Sequence, residues 1–282
     1  MLDRTISAGR SAWYAATEPG RLARARAAAA HLRKNNSVAV CIPTFNRREL
    51  LLDRALPSVL RQTHPLVHVY VMAHGCTDGT ADAVRRVYPG ASNITVIDVP
   101  RTRAYPPTAE NHWLVGPTQP LNAFLRLVPG MNVGWVARLD DDDVWVRGHL
   151  EGQLYFAREL DYEFVSAATM LDGWNRPAPY QFPEGRVVIP LLGTPGLVGG
   201  CSTWVYRSYL SFFYYNPDAW RKRWNRNNDT DLPERMVRAG VRTGYSPMLT
   251  SWTERRPGEE HIGSRAYLND PADIEARYAF HP

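Results

Sequence analysis

Four consecutive carboxylates, Asp140, Asp141, Asp142 and Asp143, follow the apolar run 133–137 and precede Val144-Trp145. Adjacent carboxylates repel one another unless something positive holds them. At a strand end, alternation sends Asp140 and Asp142 to one side and Asp141 and Asp143 to the other. Two converging carboxylates suit a hard cation, Mn²⁺ or Mg²⁺, that shares its shell with phosphate oxygens. A solvated acidic turn has the same composition, and the run alone does not choose between the two.

A second acidic group, Asn228-Asp229-Thr230-Asp231, stands just before Leu232-Pro233. These residues can cap a helix whose first turn tolerates the proline. Between the two groups lies an aromatic stretch, 201–215, read as a helix that buries one aromatic face, with Trp204 and Tyr206 set apart as binding candidates.

The elements that must position these groups are legible as alternating strands and helices. An apolar run at 37–42 stops at Pro43 and reads as a buried strand. Leucines at 50, 51, 52, 56 and 60 give a helix over 47–60, and 67–72 a second strand. The turn-rich loop 74–80 opens a helix at 81–87, 93–99 reads as a third strand, and the proline-rich 106–119 as a loop before a helix at 121–127. The fourth strand, 133–138, delivers the acidic run. A helix at 149–159, strands at 164–170 and 186–189, and a flexible 193–200 follow. Such alternation implies an α/β fold with a mostly parallel sheet and ligands beyond the carboxyl ends of its strands, where Pro43, His74 and Asp140 all fall.

The chain has 282 residues, of which 44% are hydrophobic and 22% charged, enough for one catalytic domain with additions at its ends. Lys34 and Lys222 are the only lysines, so the net charge of +5 is carried by arginine. That balance allows a polyanionic partner such as nucleic acid without requiring one. Three cysteines, widely spaced, write neither a disulfide framework nor a zinc cluster. No long apolar window and no secretory signal are present, so the expectation is a soluble, cytoplasmic protein. Residues 1–36 read as a basic, alanine-rich helical extension packed on, or preceding, the catalytic domain, with a solvated outer surface expected rather than membrane or nucleic-acid contact.

Taken together, the motifs resemble a family 2 glycosyltransferase of the GT-A fold. The resemblance is carried by Cys41-Ile42-Pro43-Thr44-Phe45-Asn46-Arg47, by 56–63, by Gly75-Cys76-Thr77-Asp78-Gly79-Thr80, by 139–145 and by 228–235. It implies a GT-A domain over 37–250, with 251–282 as a tail closing over the donor site. It also implies transfer of a sugar from a nucleotide diphosphate sugar to a hydroxyl acceptor, with inversion. The acceptor is expected to be a saccharide, a lipid-linked sugar or a small metabolite.

By position in the resemblance, Asp142 binds the cation with Asp140 as a second ligand, Asp140 or Asp141 contacts the donor ribose, and Asp229 is the general base. Pro43, Thr44, Asn46 and Arg47 border the nucleotide, with His74, Asn122, Arg255 and Arg256 also assigned to the donor. His261 is a candidate metal ligand, while Trp204, Tyr206 and Asp231 are assigned to the acceptor. The chain departs from the family where Ala73 and His74 replace acidic residues, where Leu121 replaces an arginine, and where Asn228 replaces a glutamate. The first two departures argue against assuming a conventional uridine diphosphate donor. Two alternatives stand beside this reading: a glycosyltransferase acting on nucleic acid or another polyanion, which the arginine balance and basic N-terminal segment allow, and a non-catalytic nucleotide- or carbohydrate-binding protein on the same scaffold, which the departures allow.

Overall fold

The computed structural model describes residues 2–102, 105–171, 177–178, 199–222 and 226–253. The first strand, β1 (Val38–Thr44), is buried along its whole length because helices cover both of its faces. That is why it reads as a continuous apolar run rather than an alternating one. Strands β2 (Val67–His74) and β3 (Ile94–Val99) extend the sheet on one side of β1, and β4 (Trp135–Arg138) pairs on the other, all four parallel. The order then continues from β4 through β8 (Val205–Arg207), β6 (Phe164–Leu171) and β9 (Thr243–Thr253) to β5 (Asp143–Trp145), with β7 (Pro177–Ala178) paired to β6.

The expected α/β architecture and mostly parallel sheet are therefore present, with antiparallel pairs confined to β5, β7 and β8. The strand order reverses between β1 and β4, which makes the crevice beyond their carboxyl ends the place where such a sheet binds ligands.

Each face of the sheet has its own core. Val38, Val40 and Ile42 of β1 pack with Trp135, Ala137 and Trp145 against α3 (Leu56–Leu60) and α7 (His149–Glu159). Ala39 and Cys41 face the other way, with Val136, Trp204, Tyr206 and Phe124, toward α6 (Thr118–Leu127) and α8 (Asn228–Ala239).

Three elements differ from expectation for local reasons. The helix expected over 47–60 is divided into α2 (Arg48–Leu50), a π-turn at Leu51–Ala55, and α3. Pro57, which has no N–H to donate, follows that turn. The proline-rich segment contains a short helix, α5 (Ala109–Val115), whose cap is the Thr108 hydroxyl accepting from the Asn111 N–H. The aromatic stretch 201–215 is not an α-helix. It forms 3-10 turns at Cys201–Thr203 and Ser208–Phe212 around β8, a strand buried on both faces. The expected strand at 186–189 and the segment 193–198 lie outside the described residues.

The N-terminal extension contains one long helix, α1 (Leu2–Ala28), and it is packed on the domain against α8. Ser7, Tyr14, Glu18 and Leu22 form a buried stripe at spacings of seven and four, followed by Ala29 just beyond the helix. Glu18 meets Arg235 of α8, whose guanidinium also lies 4.0 Å over the Tyr14 ring and bonds Asp231 at 2.8 Å. Arg10 and Arg26 turn inward to Asp218 and Glu163. Among the described residues no helix is long and apolar enough to cross a membrane.

Two side chains make the fold testable. His149 is fully buried and stacked on Trp145 at 4.3 Å, and among the described residues neither ring nitrogen has a hydrogen-bond partner. Burial pushes its pKa down from 6.5 to about 3, so the unfolded chain binds the extra proton and stability falls as pH drops through that interval. His149→Phe should raise unfolding stability by about 1–3 kcal/mol and flatten its decline below neutrality, measured by urea denaturation at several pH values. A loss of stability would show that the imidazole has a bonding role.

Asn122, expected at the donor, instead brackets one backbone unit: its Nδ2 donates to the Tyr215 carbonyl at 2.9 Å and its Oδ1 accepts from the Tyr215 N–H at 2.7 Å. Asn122→Ala leaves two buried backbone groups unpaired and should cost roughly 2 kcal/mol or more. Unchanged stability with weakened nucleotide binding would instead return Asn122 to the donor site.

Candidate active site

The acidic run is a turn, not an extended strand end. The Asp143 N–H donates to the Asp140 carbonyl at 3.2 Å, closing the four residues on themselves. The alternation expected of a strand is lost, and each carboxylate finds a separate environment. Asp140 lies against Arg138, with Nε to Oδ1 at 3.0 Å. Asp141 and Asp142 share one Arg47 nitrogen, Nη1, at 2.8 and 3.2 Å. Asp143 is buried at the start of β5 and accepts from the Ser202 hydroxyl.

The electrostatics follow from burial. Asp141 is pushed up to about 6 by desolvation, which Arg47 opposes and Asp142 reinforces. Asp143 is pushed well above the usual carboxylate range by desolvation and then by its neighbours Asp142 and Asp140. Ser202 laces the turn together: its Oγ also accepts from the Asp140 N–H at 3.1 Å, and its carbonyl accepts from the Trp145 indole at 2.5 Å.

The loops that border the turn come from the neighbouring strand ends. Pro43 and Thr44 close β1, both buried, and Asn46 follows with a left-handed φ of 52°. Asparagine tolerates that conformation better than most residues. Its side chain ties the first loop to the second, accepting from the Thr77 N–H at 2.7 Å and donating to Thr77 Oγ1 at 3.1 Å. Gly75 has φ 62°, and a Cβ there would lie 2.7 Å from the Arg101 Cβ. The glycine thus lets Arg101 enter the crevice, where it lies 3.8 Å over the Phe45 ring.

His74 ends β2 with its Nε2 at 3.0 Å from Gln119 Oε1, and burial lowers its pKa. The Gln119 Nε2 faces the Pro100 carbonyl, which can only accept, so Oε1 faces the histidine and His74 Nε2 is the donor.

Asp229 occupies the first turn of α8, placed there by the Asn227 side chain, which accepts from its N–H at 2.9 Å. Its Oδ1 bonds Arg138 Nη1 at 2.6 Å. The guanidinium of Arg138 therefore holds Asp229 and Asp140 together, although they are far apart in sequence. Arg138 is only 2% exposed, and its fork is flanked by Tyr215 and Trp204, whose ring centroids lie 5.6 and 5.9 Å from Cζ. This residue was missed from sequence. The available signal was a lone charge at the last position of a buried strand, where charge is rare unless paired.

The remaining candidates are distributed differently. Trp204 and Tyr206 are 1% and 2% exposed and pack around Phe164 within the core, so neither ring presents a face to an acceptor. Asp231 is buried and paired with Lys222 at 2.9 Å and Arg235, on the side of α8 that meets α1. Asn228 is buried and donates to Thr118 of α6. Arg255, Arg256 and His261 lie outside the described residues.

Among the described residues no cluster of three or more His, Cys, Asp or Glu side chains is arranged to hold a metal ion. Asp140 and Asp142 carry oxygen donors of the type a hard cation takes, and in this structure those oxygens face Arg138 and Arg47 respectively.

The family model described as glycosyl transferase family 2 matches residues 39–246. No curated protein matches the chain significantly. Among solved structures, Staphylococcus aureus TarS 1–349 in complex with UDP-GlcNAc is similar at TM-score 0.56 and 19% identity, covering 81% of this chain and 61% of that one. The mannosyltransferase PcManGT from Pyrobaculum calidifontis, in complex with GDP-Man and Mn²⁺, is similar at TM-score 0.59 and 16% identity, covering 94% and 72%. The chain thus spans less than two thirds of the TarS fragment, and the shared feature at these identities is the GT-A fold. With the family model covering most of its length, the chain belongs to glycosyl transferase family 2.

Proposed function

We propose that the protein transfers a glycosyl group from a nucleotide diphosphate sugar to a hydroxyl acceptor with inversion at the anomeric carbon. The observation that carries this reading is the placement of Asp229 beside the acidic turn, held there by Arg138. The donor lies in the crevice beyond β1, β2 and β4, its diphosphate toward Arg47 and its ribose toward Asp140 or Asp141. Asp142, with Asp140, would hold a Mn²⁺ or Mg²⁺ ion, which would supply charge stabilisation to the departing diphosphate.

Asp229 accepts the proton of the acceptor hydroxyl as its oxygen bonds to the anomeric carbon. The bond from that carbon to the diphosphate oxygen breaks, and its electron pair leaves with the nucleoside diphosphate. A base on the face opposite the leaving group gives inversion in one displacement. Because Asp229 Oδ1 is engaged by Arg138, Oδ2 is the atom assigned to the proton.

Asp229→Asn should lower transfer by roughly 10²–10⁴-fold while leaving nucleotide binding within a few-fold, since general base catalysis is worth about that much. Asp142→Ala should lose the metal dependence of nucleotide binding. Both are read by product formation from radiolabelled donor sugar and by nucleotide titration. Full transfer by the Asp229 variant would remove the base assignment, and undiminished metal dependence in the Asp142 variant would remove the ligand assignment.

A further inference from the structure

From the geometry around β4 we infer that Arg138 is a positioning residue, whose single planar guanidinium sets the spacing between the donor-side carboxylate Asp140 and the base Asp229. The inference rests on the proposed reaction and extends it to a residue outside the carboxylate set. Arg138 is the last residue of β4, two positions before Asp140 and 91 before Asp229. Its two edges are divided between them. Nη1 reaches Asp229 at 2.6 Å, while Nε and Nη2 reach the two oxygens of Asp140 at 3.0 and 3.3 Å.

The fork has little freedom to do anything else. Tyr215 Oη accepts from Nη1 at 3.4 Å, and the Tyr215 and Trp204 rings flank the guanidinium. Tyr215 is fixed in turn by the two backbone bonds to Asn122, and Trp204 by its indole N–H on the Gly199 carbonyl at 2.8 Å. Buried Arg138 thus sits in a preformed seat, with its two partners each about 30% exposed toward the crevice. The carboxylates are the exposed members of the trio and the guanidinium is the buried one.

A guanidinium is suited to this task because its donors are rigid in a plane, whereas a lysine ammonium is one point charge on a flexible stem. Positioning matters at this scale because a displacement of about 1 Å at a reacting group can cost on the order of 10²-fold in rate. Trp204, assigned from sequence to the acceptor, acquires a different part: it is a wall of the Arg138 seat.

The test is a double-variant cycle built on Arg138→Met, Asp229→Asn and the two combined, with Arg138→Lys alongside. Each protein is assayed for kcat, for affinity toward the nucleoside diphosphate that the wild type binds, and for thermal unfolding. Arg138→Met should lower kcat by about 10²-fold with a much smaller change in nucleotide affinity. Added to Asp229→Asn it should cost clearly less than it does in the wild-type background, because one of the two groups it positions is already inactive. Arg138→Lys should fall between wild type and Arg138→Met; should Arg138→Met fail to fold, Arg138→Lys carries the cycle with the same readouts.

Full activity in Arg138→Lys would overturn the inference, since charge alone would then suffice. Fully multiplicative losses in the double variant would also overturn it. A loss confined to nucleotide affinity would do the same. The Asp229→Asn arm reports separately on the base: if it alone retains full activity the proposed mechanism fails, whatever Arg138 does.

Discussion

A charged guanidinium buried at the end of an interior strand must be compensated, because an unpaired ion in that environment costs several kcal/mol even after relaxation. Arg138 is such a group, and Asp140 and Asp229 are its compensation. The pairing ties the carboxyl end of β4 to the first turn of α8. It also relieves the acidic run, since one of four adjacent carboxylates is drawn toward a fixed cation. Arg47 serves two more from the opposite side, and the fourth is folded under the turn against Ser202. Charge repulsion that would open the turn is thus converted into three separate local contacts.

Helix α8 is held at both levels. Its first turn is fixed by Asn227 and Arg138, and its next turns by Asp231 and Arg235, which meet Lys222 from the preceding segment and Glu18 from α1. The α1 helix lies outside the residues matched by the family model, yet it contributes a buried carboxyl to the helix that carries Asp229. Burial raises the Glu18 pKa to about 7 despite the opposing Arg235. With Asp231, Lys222 and Arg235 beside it, the α1–α8 boundary is an ion-pair network rather than a purely apolar seam.

Much of the first half was legible in the sequence because the signals were local. The run 37–42 reads as a buried strand, 74–80 as a turn and cap, and the acidic run stands out by composition alone. The partners of that run were not legible. Arg138 shows only as a charge in an apolar strand, and its bond to Asp229 spans 91 positions that no periodicity connects. Trp204 and Tyr206 were misjudged because they were set apart as binding candidates within a stretch read as a helix, whereas their alternation with Val205 is that of a strand buried on both sides. Strand β9 escaped notice because its register against β6 shifts on either side of Ala168, breaking the alternation that marks a strand. Local pattern predicts elements; which side chain meets which depends on the sheet order.

The central claim is that the crevice beyond β1, β2 and β4 is a metal-assisted nucleotide diphosphate site. Calorimetric titration of the wild-type chain with UDP, GDP, dTDP, ADP and CDP, with and without Mn²⁺, tests it most directly. The expected result is saturable binding of one of these nucleotides that disappears on chelation, which would identify the donor class. Absence of binding by all five, with metal present, would contradict it and favour a scaffold that has lost its donor.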